Sequence, residues 1–151
     1  MVRKINSAEE LEALAGAELG TSDWVEVTQE RINQFADATG DHQWIHVDIE
    51  RANAGPFGGP IAHGFLTLSM IPVLGAQISA IDFGSAKINY GLNKVRFMTP
   101  VPAGGRIRAH ARAAEVNRLE KGIQLITEYT IELEGSDRPA CVAEMIMLII
   151  P

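Results

Sequence analysis

AHGFLTLSMIPVLGAQIS, residues 62–79, is the most apolar long stretch of the chain. Phe65, Leu66, Leu68, Ser69, Met70, Val73 and Leu74 cover nearly all sides of a helix wheel. A helix of that composition is expected to be almost wholly buried. Pro72 lies inside it and predicts a kink or a division. A buried helix needs a partner surface, and the next residues supply one. From about residue 84 the texture turns to alternation, β-branched residues and turn signals such as AGG, LEKG and EGSDRP. Four strands are expected, near 84–99, 105–117, 122–134 and 138–150, the first with a bend or bulge near Gly91.

Upstream the pattern is helical and loop-rich. SAEELEALAG (7–16) reads as a short helix with Ser7 as cap, Glu10 completing a capping box and Gly16 as stop. SDWVEVT (22–28) alternates like a short strand. Thr28 then caps a second helix that carries Ile32, Phe35 and Ala36 at helical spacing and stops at Gly40. The fold class is therefore α+β: one antiparallel curved sheet wrapped around a long central apolar helix. The 151 residues suit a single domain, 1–151. A single helix–sheet layer leaves apolar surface uncovered, so a homodimer is expected.

Composition narrows the function classes. The chain is 46% hydrophobic and 21% charged, with a net charge of −6. An acidic chain argues against nucleic acid as the main partner. No stretch approaches the ~20 apolar residues of a membrane span. The N-terminus lacks the apolar run of a signal peptide, and a cytoplasmic, reducing location is the expectation. The single cysteine, Cys141, rules out an internal disulfide and a Cys-based zinc site. Its apolar neighbours mark it as a small core residue.

The densest chemistry lies just after the second helix, in TGDHQWIHVD (39–48). Three readings are open. His42 and His46 are four apart and, on a helix, would share a face for a metal; Gly40 argues against regular helix there, and His63 could join only through the fold. Asp41 and His46 could converge as an acid–base pair if the loop curls round a cavity, because an imidazole titrates near neutrality and a carboxylate can orient it or hold a water. Alternatively, Asp41 merely caps a turn and His46 is a satisfied, half-buried histidine.

A second clue lies at GPIAHGFLTLSM (59–70). His63-Gly64 falls where the apolar helix begins, with unpaired N–H groups. Gly64 has no side chain, so a ligand oxygen could approach its N–H and be polarised there. The competing reading makes Gly64 a packing glycine and His63 a capping or packing residue.

Together, ATGDHQWIHVDIERA and GPIAHGFLTLSM resemble the MaoC-like dehydratase family, also called hydratase 2 or (R)-specific enoyl-CoA hydratase. Its signature is roughly S/T-G-D-x-N-P-[LIV]-H-x5-[AS], followed later by [IV]-x-H-G. Thr39, Gly40, Asp41, Ile45, His46 and Ala52 match, as do Ile61, His63 and Gly64. Gln43 stands in place of the usual Asn and Trp44 in place of Pro. KINYGLNKVRFMTPVPAGGRIRA is similar to the family's F-x-x-P-V-x-x-G-D-x-[IV] strand segment. The likeness spans about residues 28–116.

The resemblance implies a hotdog fold and the reversible hydration of trans-2-enoyl-CoA to (R)-3-hydroxyacyl-CoA. It implies Asp41 and His46 as the acid–base pair, in either order, around one water, with the Gly64 N–H on the thioester oxygen. Gln43 would position the water or the loop, and the acyl chain would lie along Phe65 and Leu68. No metal or redox cofactor is implied; CoA is part of the substrate. Arg96, Arg106, Arg108, Arg112, Arg118 and Lys121 are the cations from which CoA phosphate contacts would come. The rival functions are a hotdog acyl-CoA thioesterase, an acyl-carrier-protein dehydratase, a non-catalytic acyl-CoA-binding module and a subunit of a larger assembly.

Overall fold

The structure is a computed structural model covering residues 1–151. In chain order the first half holds β1 (Arg3–Ile5), α1 (Ala8–Ala13), β2 (Glu18–Thr21), β3 (Val25–Glu26), α2 (Gln29–Thr39), α3 (Trp44–Val47) and α4 (Ile49–Asn53). Then come α5 (Gly64–Ser69), α6 (Ile71–Gly75), β4 (Ser79–Ile81), β5 (Ala86–Phe97), β6 (Arg106–Leu119), β7 (Gly122–Leu133) and β8 (Cys141–Ile150). The main sheet is antiparallel, in the order β2-β6-β7-β8-β5, with β3 also on β6.

The sheet forms because its strands alternate. In β6 Ile107, Ala109, Ala111 and Ala113 point inward and are buried, while Arg108, His110 and Arg112 point outward. The outward arginines meet carboxylates on β7 in register: Arg108 with Glu132 and Arg112 with Glu128. Such cross-strand pairs are the unit of sheet stabilisation. Arg106 pairs with Glu134, and Arg118 with Glu9 and Glu12 on α1. Four of the six cations considered for phosphate binding are thus already engaged with carboxylates. Lys121 sits over the Tyr90 ring, and Arg96 donates to the neighbouring Val95 carbonyl.

α5 and α6 lie on the inner face. Leu66, Met70, Ile71 and Leu74 join Ile107, Ala109, Ala111 and Ile131 in one buried cluster. At Gly75 the helix approaches the sheet closely: a Cβ there would lie 2.9 Å from the Tyr129 hydroxyl.

The central helix is divided, as Pro72 predicts: two short helices meet at Met70. Pro72 is at the start of the second and lacks the N–H that would bond the Leu68 carbonyl. The central helix departs from the expectation in not being wholly buried. Phe65, Ser69, Pro72 and Val73 form an exposed stripe at helical spacing, with Phe65 67% exposed. Ile88, Tyr90, Leu92 and Phe97 on edge strand β5 are exposed as well.

The four long strands follow their sequence signals closely. β5 carries register shifts between Asn89 and Gly91 and between Leu92 and Lys94, which curve it. Cys141 is buried, and burial pushes its thiol up to about 11. The strand expected at 22–28 shrinks to Val25–Glu26; Ser22 still bonds Ala109, and Val27 bonds Gly104 and Gly105, on either side of it. The expected capping box is incomplete. Ser7 accepts from the Glu10 N–H, but the Glu10 carboxylate reaches the Asn6 N–H, not that of Ser7. The parallel β1–β4 pair has no counterpart in the sequence reading; three residues carry no readable period. No helix is long and apolar enough to cross a membrane.

Candidate active site

α2 delivers the chain to the site. Thr28 caps its start by accepting from the Arg31 N–H at 3.1 Å. At its end Gly40 adopts φ 82° and donates to the Ala36 carbonyl at 2.8 Å. The left-handed cap turns the chain sharply, and a Cβ would be strained there. Asp41 follows at once. Its Oδ1 accepts the Gln43 N–H at 3.3 Å, an Asx turn, and the Gln43 carbonyl accepts the His46 N–H at 3.0 Å. This closes α3, a single helical turn that aims His46 inward. Gln29 on α2 clamps the turn by donating to the His46 carbonyl at 2.8 Å.

Trp44 stands at the first position of α3, where proline is favoured because its fixed φ suits a helix start. Its bulk is accommodated on the outer side. A Cβ at Gly55 would lie 3.0 Å from the indole, and the Arg51 guanidinium stacks 4.3 Å above it. Trp44 therefore stays out of the cavity.

A second segment, 60–64, is stitched to this loop. The Ile61 N–H donates to the Ile45 carbonyl at 3.0 Å. His46 Nδ1 is 2.7 Å from the Ile61 carbonyl, and His63 Nε2 is 2.9 Å from the Asp41 carbonyl. A carbonyl only accepts, so both ring nitrogens donate. The Ala62 N–H anchors the segment to Val101 at 2.8 Å.

Between the segments opens a cavity of about 490 Å³. Asp41, His46, His63 and Gly64 form its polar wall, and Phe35, Phe65 and Phe97 its apolar one. His46 and His63 are buried and their rings stack, 3.8 Å apart and 22° from parallel. Gly64, first residue of α5, has no intrahelical partner for its N–H. Its missing side chain lets the Phe97 ring pack close: a Cβ there would lie 3.0 Å from it. Burial lowers the His46 pKa below its ordinary 6.5, and the adjacent His63 ring disfavours a second positive charge beside it, against the raising effects of the Ile61 carbonyl and Asp41. The imidazole is thus neutral near pH 7, with Nδ1–H committed to Ile61 and the Nε2 lone pair free.

One donor atom each from Asp41, His46 and His63 lies within 4.8 Å of the others. The fold thus supplies the third group that chain spacing lacked for a metal. The stacking does not suit one. Planes 22° apart at 3.8 Å separation meet on the order of 10 Å away, yet a metal bound by both imidazoles lies in both planes at ~2 Å from each nitrogen. A water between Asp41 and His46 fits better, since two hydrogen bonds of ~2.8 Å at a tetrahedral angle span roughly 4.6 Å.

Asp41, His46, Gly64 and Phe65 therefore share one cavity. Gln43 does not line it; its backbone shapes the loop. His42 points outward to Asp37 at 2.9 Å, and that hydrogen bond raises its pKa. Asp48 caps α4 through the Arg51 N–H at 3.1 Å. His63 makes no side-chain cap to α5, contrary to the capping reading; it ties down Asp41. Phe35 and Phe97 were not legible as site residues, because only the fold brings them there. Another cavity, of about 260 Å³ between α6 and the sheet, is lined mainly by apolar side chains and holds no acid–base pair.

The family model described as MaoC like domain matches residues 10–134. A relative in Mycobacterium tuberculosis, 3-hydroxyacyl-thioester dehydratase Z, is 54% identical over 147 residues, covering 97% of each chain. The solved monoamine oxidase regulatory protein of Archaeoglobus fulgidus superposes with a TM-score of 0.79 at 28% identity, covering 99% of this chain and 97% of its own. The R-hydratase PhaJ1 of Pseudomonas aeruginosa shares the fold, with a TM-score of 0.75 at 22% identity over 95% of this chain and 84% of its own. The curved antiparallel sheet is that of hotdog-fold MaoC-like structures. Family match, near full-length relative and fold agree: the chain belongs to the MaoC-like dehydratase family of hydro-lyases.

Proposed function

We propose that the protein is an (R)-specific enoyl-CoA hydratase, adding water reversibly to trans-2-enoyl-CoA to give (R)-3-hydroxyacyl-CoA. The observation that carries this reading is the convergence of Asp41, His46 and Gly64 on one cavity with room for a bridging water.

The chemistry follows from the groups present. An isolated C=C is a poor electrophile, but a conjugated thioester draws charge onto its oxygen as C3 is attacked. The Gly64 N–H faces that charge as an oxyanion donor. Asp41 and His46 hold the water. Its oxygen bonds to C3, its proton passes to the pair, and the pair returns a proton to C2 on the same side. The sum of protons is unchanged, and no cofactor enters. His46 is suited to accept, because Nε2 carries the free lone pair. Dehydration is the same path reversed. The Phe35, Phe65 and Phe97 wall suits the apolar acyl chain.

The working unit is a homodimer. Val73 on the helices, and Ile88, Tyr90 and Leu92 on edge strand β5, are exposed apolar side chains that a second copy would cover.

The test is direct. Purified protein is incubated with short and medium trans-2-enoyl-CoA esters, loss of the conjugated chromophore is followed and product chirality is determined. Formation of the (R)-3-hydroxy product supports the reading; release of free CoA thiol, with the alkene intact, makes the protein a thioesterase instead.

A further inference from the structure

We propose that His63 is a positioning residue for the acid–base pair: one edge of its ring holds the Asp41 backbone in place while its face packs against His46. This inference rests on the hydratase reading, but part of its test needs no turnover.

Three observations carry it. First, His63 Nε2 donates to the Asp41 carbonyl at 2.9 Å, across 22 residues. Asp41 is exposed and sits directly after a left-handed glycine. Its own carboxylate hydrogen bond is a local one to the Gln43 N–H. The His63 bond is what ties the Asp41 backbone to the other wall of the cavity.

Second, the imidazole rings of His63 and His46 stack at 3.8 Å, with the Phe35 ring 4.9 Å from His63 on the α2 side. His46 is thereby held between an aromatic face and the Ile61 carbonyl, with Nε2 as its free edge. A proton on His63 would place a cation against the face of His46, which disfavours the protonated form of His46 as well. Other than these two rings, the one titratable group of the cavity is Asp41; Phe35, Thr39, Gly64, Phe65 and Phe97 carry no charge.

Third, His63 Nδ1 is buried and has no hydrogen-bond partner. With Nε2–H given to Asp41, Nδ1 is a bare acceptor, so the hydrogen bonding fits the neutral Nε2–H tautomer. A residue needed only to fill space would not carry an orphaned buried acceptor. The ring stays because a donor edge and an aromatic face are both used, and no apolar side chain offers both.

Two substitutions separate these functions. His63→Gln places an amide N–H near the Nε2 position and removes the aromatic face. His63→Phe keeps a face and removes the donor. For His63→Phe, kcat on a trans-2-enoyl-CoA should fall ~10²-fold with KM within about threefold, the loss expected when a reacting group shifts by an ångström. For His63→Gln, kcat should stay within about tenfold, below the range lost with a positioned acid–base group, while the acid limb of kcat/KM moves to higher pH. A residue that only fills space would leave kcat near wild type in His63→Phe, which keeps the ring and loses only the donor.

Nitrogen-15 NMR of the wild-type imidazoles is independent of activity. It should show His63 as the Nε2–H tautomer and His46 as the Nδ1–H tautomer, with His46 titrating below the ordinary imidazole value and rising in His63→Gln. The opposite His63 tautomer overturns the proposal. So does wild-type kcat in folded His63→Phe combined with an unmoved limb in His63→Gln. If the wild type turns over no enoyl thioester but the tautomers are as stated, the substrate reading fails and the positioning role stands.

Discussion

At the scale of single residues, the site depends on what each side chain can do once its hydrogen bonds are fixed. His46 commits Nδ1 to Ile61 and leaves Nε2 for chemistry. Asp41→Asn or His46→Ala should lower enoyl-CoA hydration by at least ~10², the low end for a positioned acid–base group, with circular dichroism unchanged. Near-wild-type rates in both would remove their assigned roles. The pH dependence follows from the lowered His46 pKa. Between the folded value and 6.5 the unfolded chain binds more protons at this site. The stabilising contribution is therefore complete above about 6.5 and is lost as pH falls through the lower folded value. Urea midpoints at pH 7.5 and pH 5 should differ, and the difference should shrink in His46→Gln. An unchanged difference would mean that the imidazole is not held neutral.

Among the elements, the decisive features are the end of α2 and the break in the central helix. Gly40 at φ 82° launches the Asp41 loop. Gly40→Ala should cost about 1–2 kcal/mol, the price of a Cβ in the left-handed region, and should lower kcat because Asp41 moves with the turn. Equal urea midpoints for variant and wild type would show that the turn relaxes without strain. The Thr28 and Gly40 ends of α2 were readable because caps have a local chemical signature. The helix division at Met70 was readable in kind, since Pro72 lacks an N–H, but the exposed stripe of Phe65 and Val73 was not. An apolar side chain looks the same in sequence whether it faces the core or an outer surface.

For the whole molecule, the exposed apolar stripe and β5 edge make assembly the next question. Leu92→Asp should convert a dimer, by light scattering, to a species of one chain mass; a wild type that is already monomeric would contradict the dimer outright. Metal removal is the second test at this scale. Dialysis against EDTA should leave hydration unchanged, because the stacked rings of His46 and His63 cannot both direct lone pairs at one ion. Activity lost to EDTA and restored by a divalent cation would contradict the acid–base reading.

Order along the chain was enough for the α+β class, the four long strands, the bulge near Gly91 and the caps of α2, because each is set by periodicity or by neighbours within a few residues. The nearness of Asp41 and His46 was inferable for the same reason: five residues and one glycine turn can bring two side chains to one side. What the chain order left open was everything that required two distant backbones to meet. His63 reached the Asp41 carbonyl, Phe97 closed over Gly64, Trp44 turned away onto Gly55, and the surface arginines were taken up by carboxylates on neighbouring elements. Those outcomes belong to tertiary structure, since hydrogen-bond geometry and close packing select partners by distance in space.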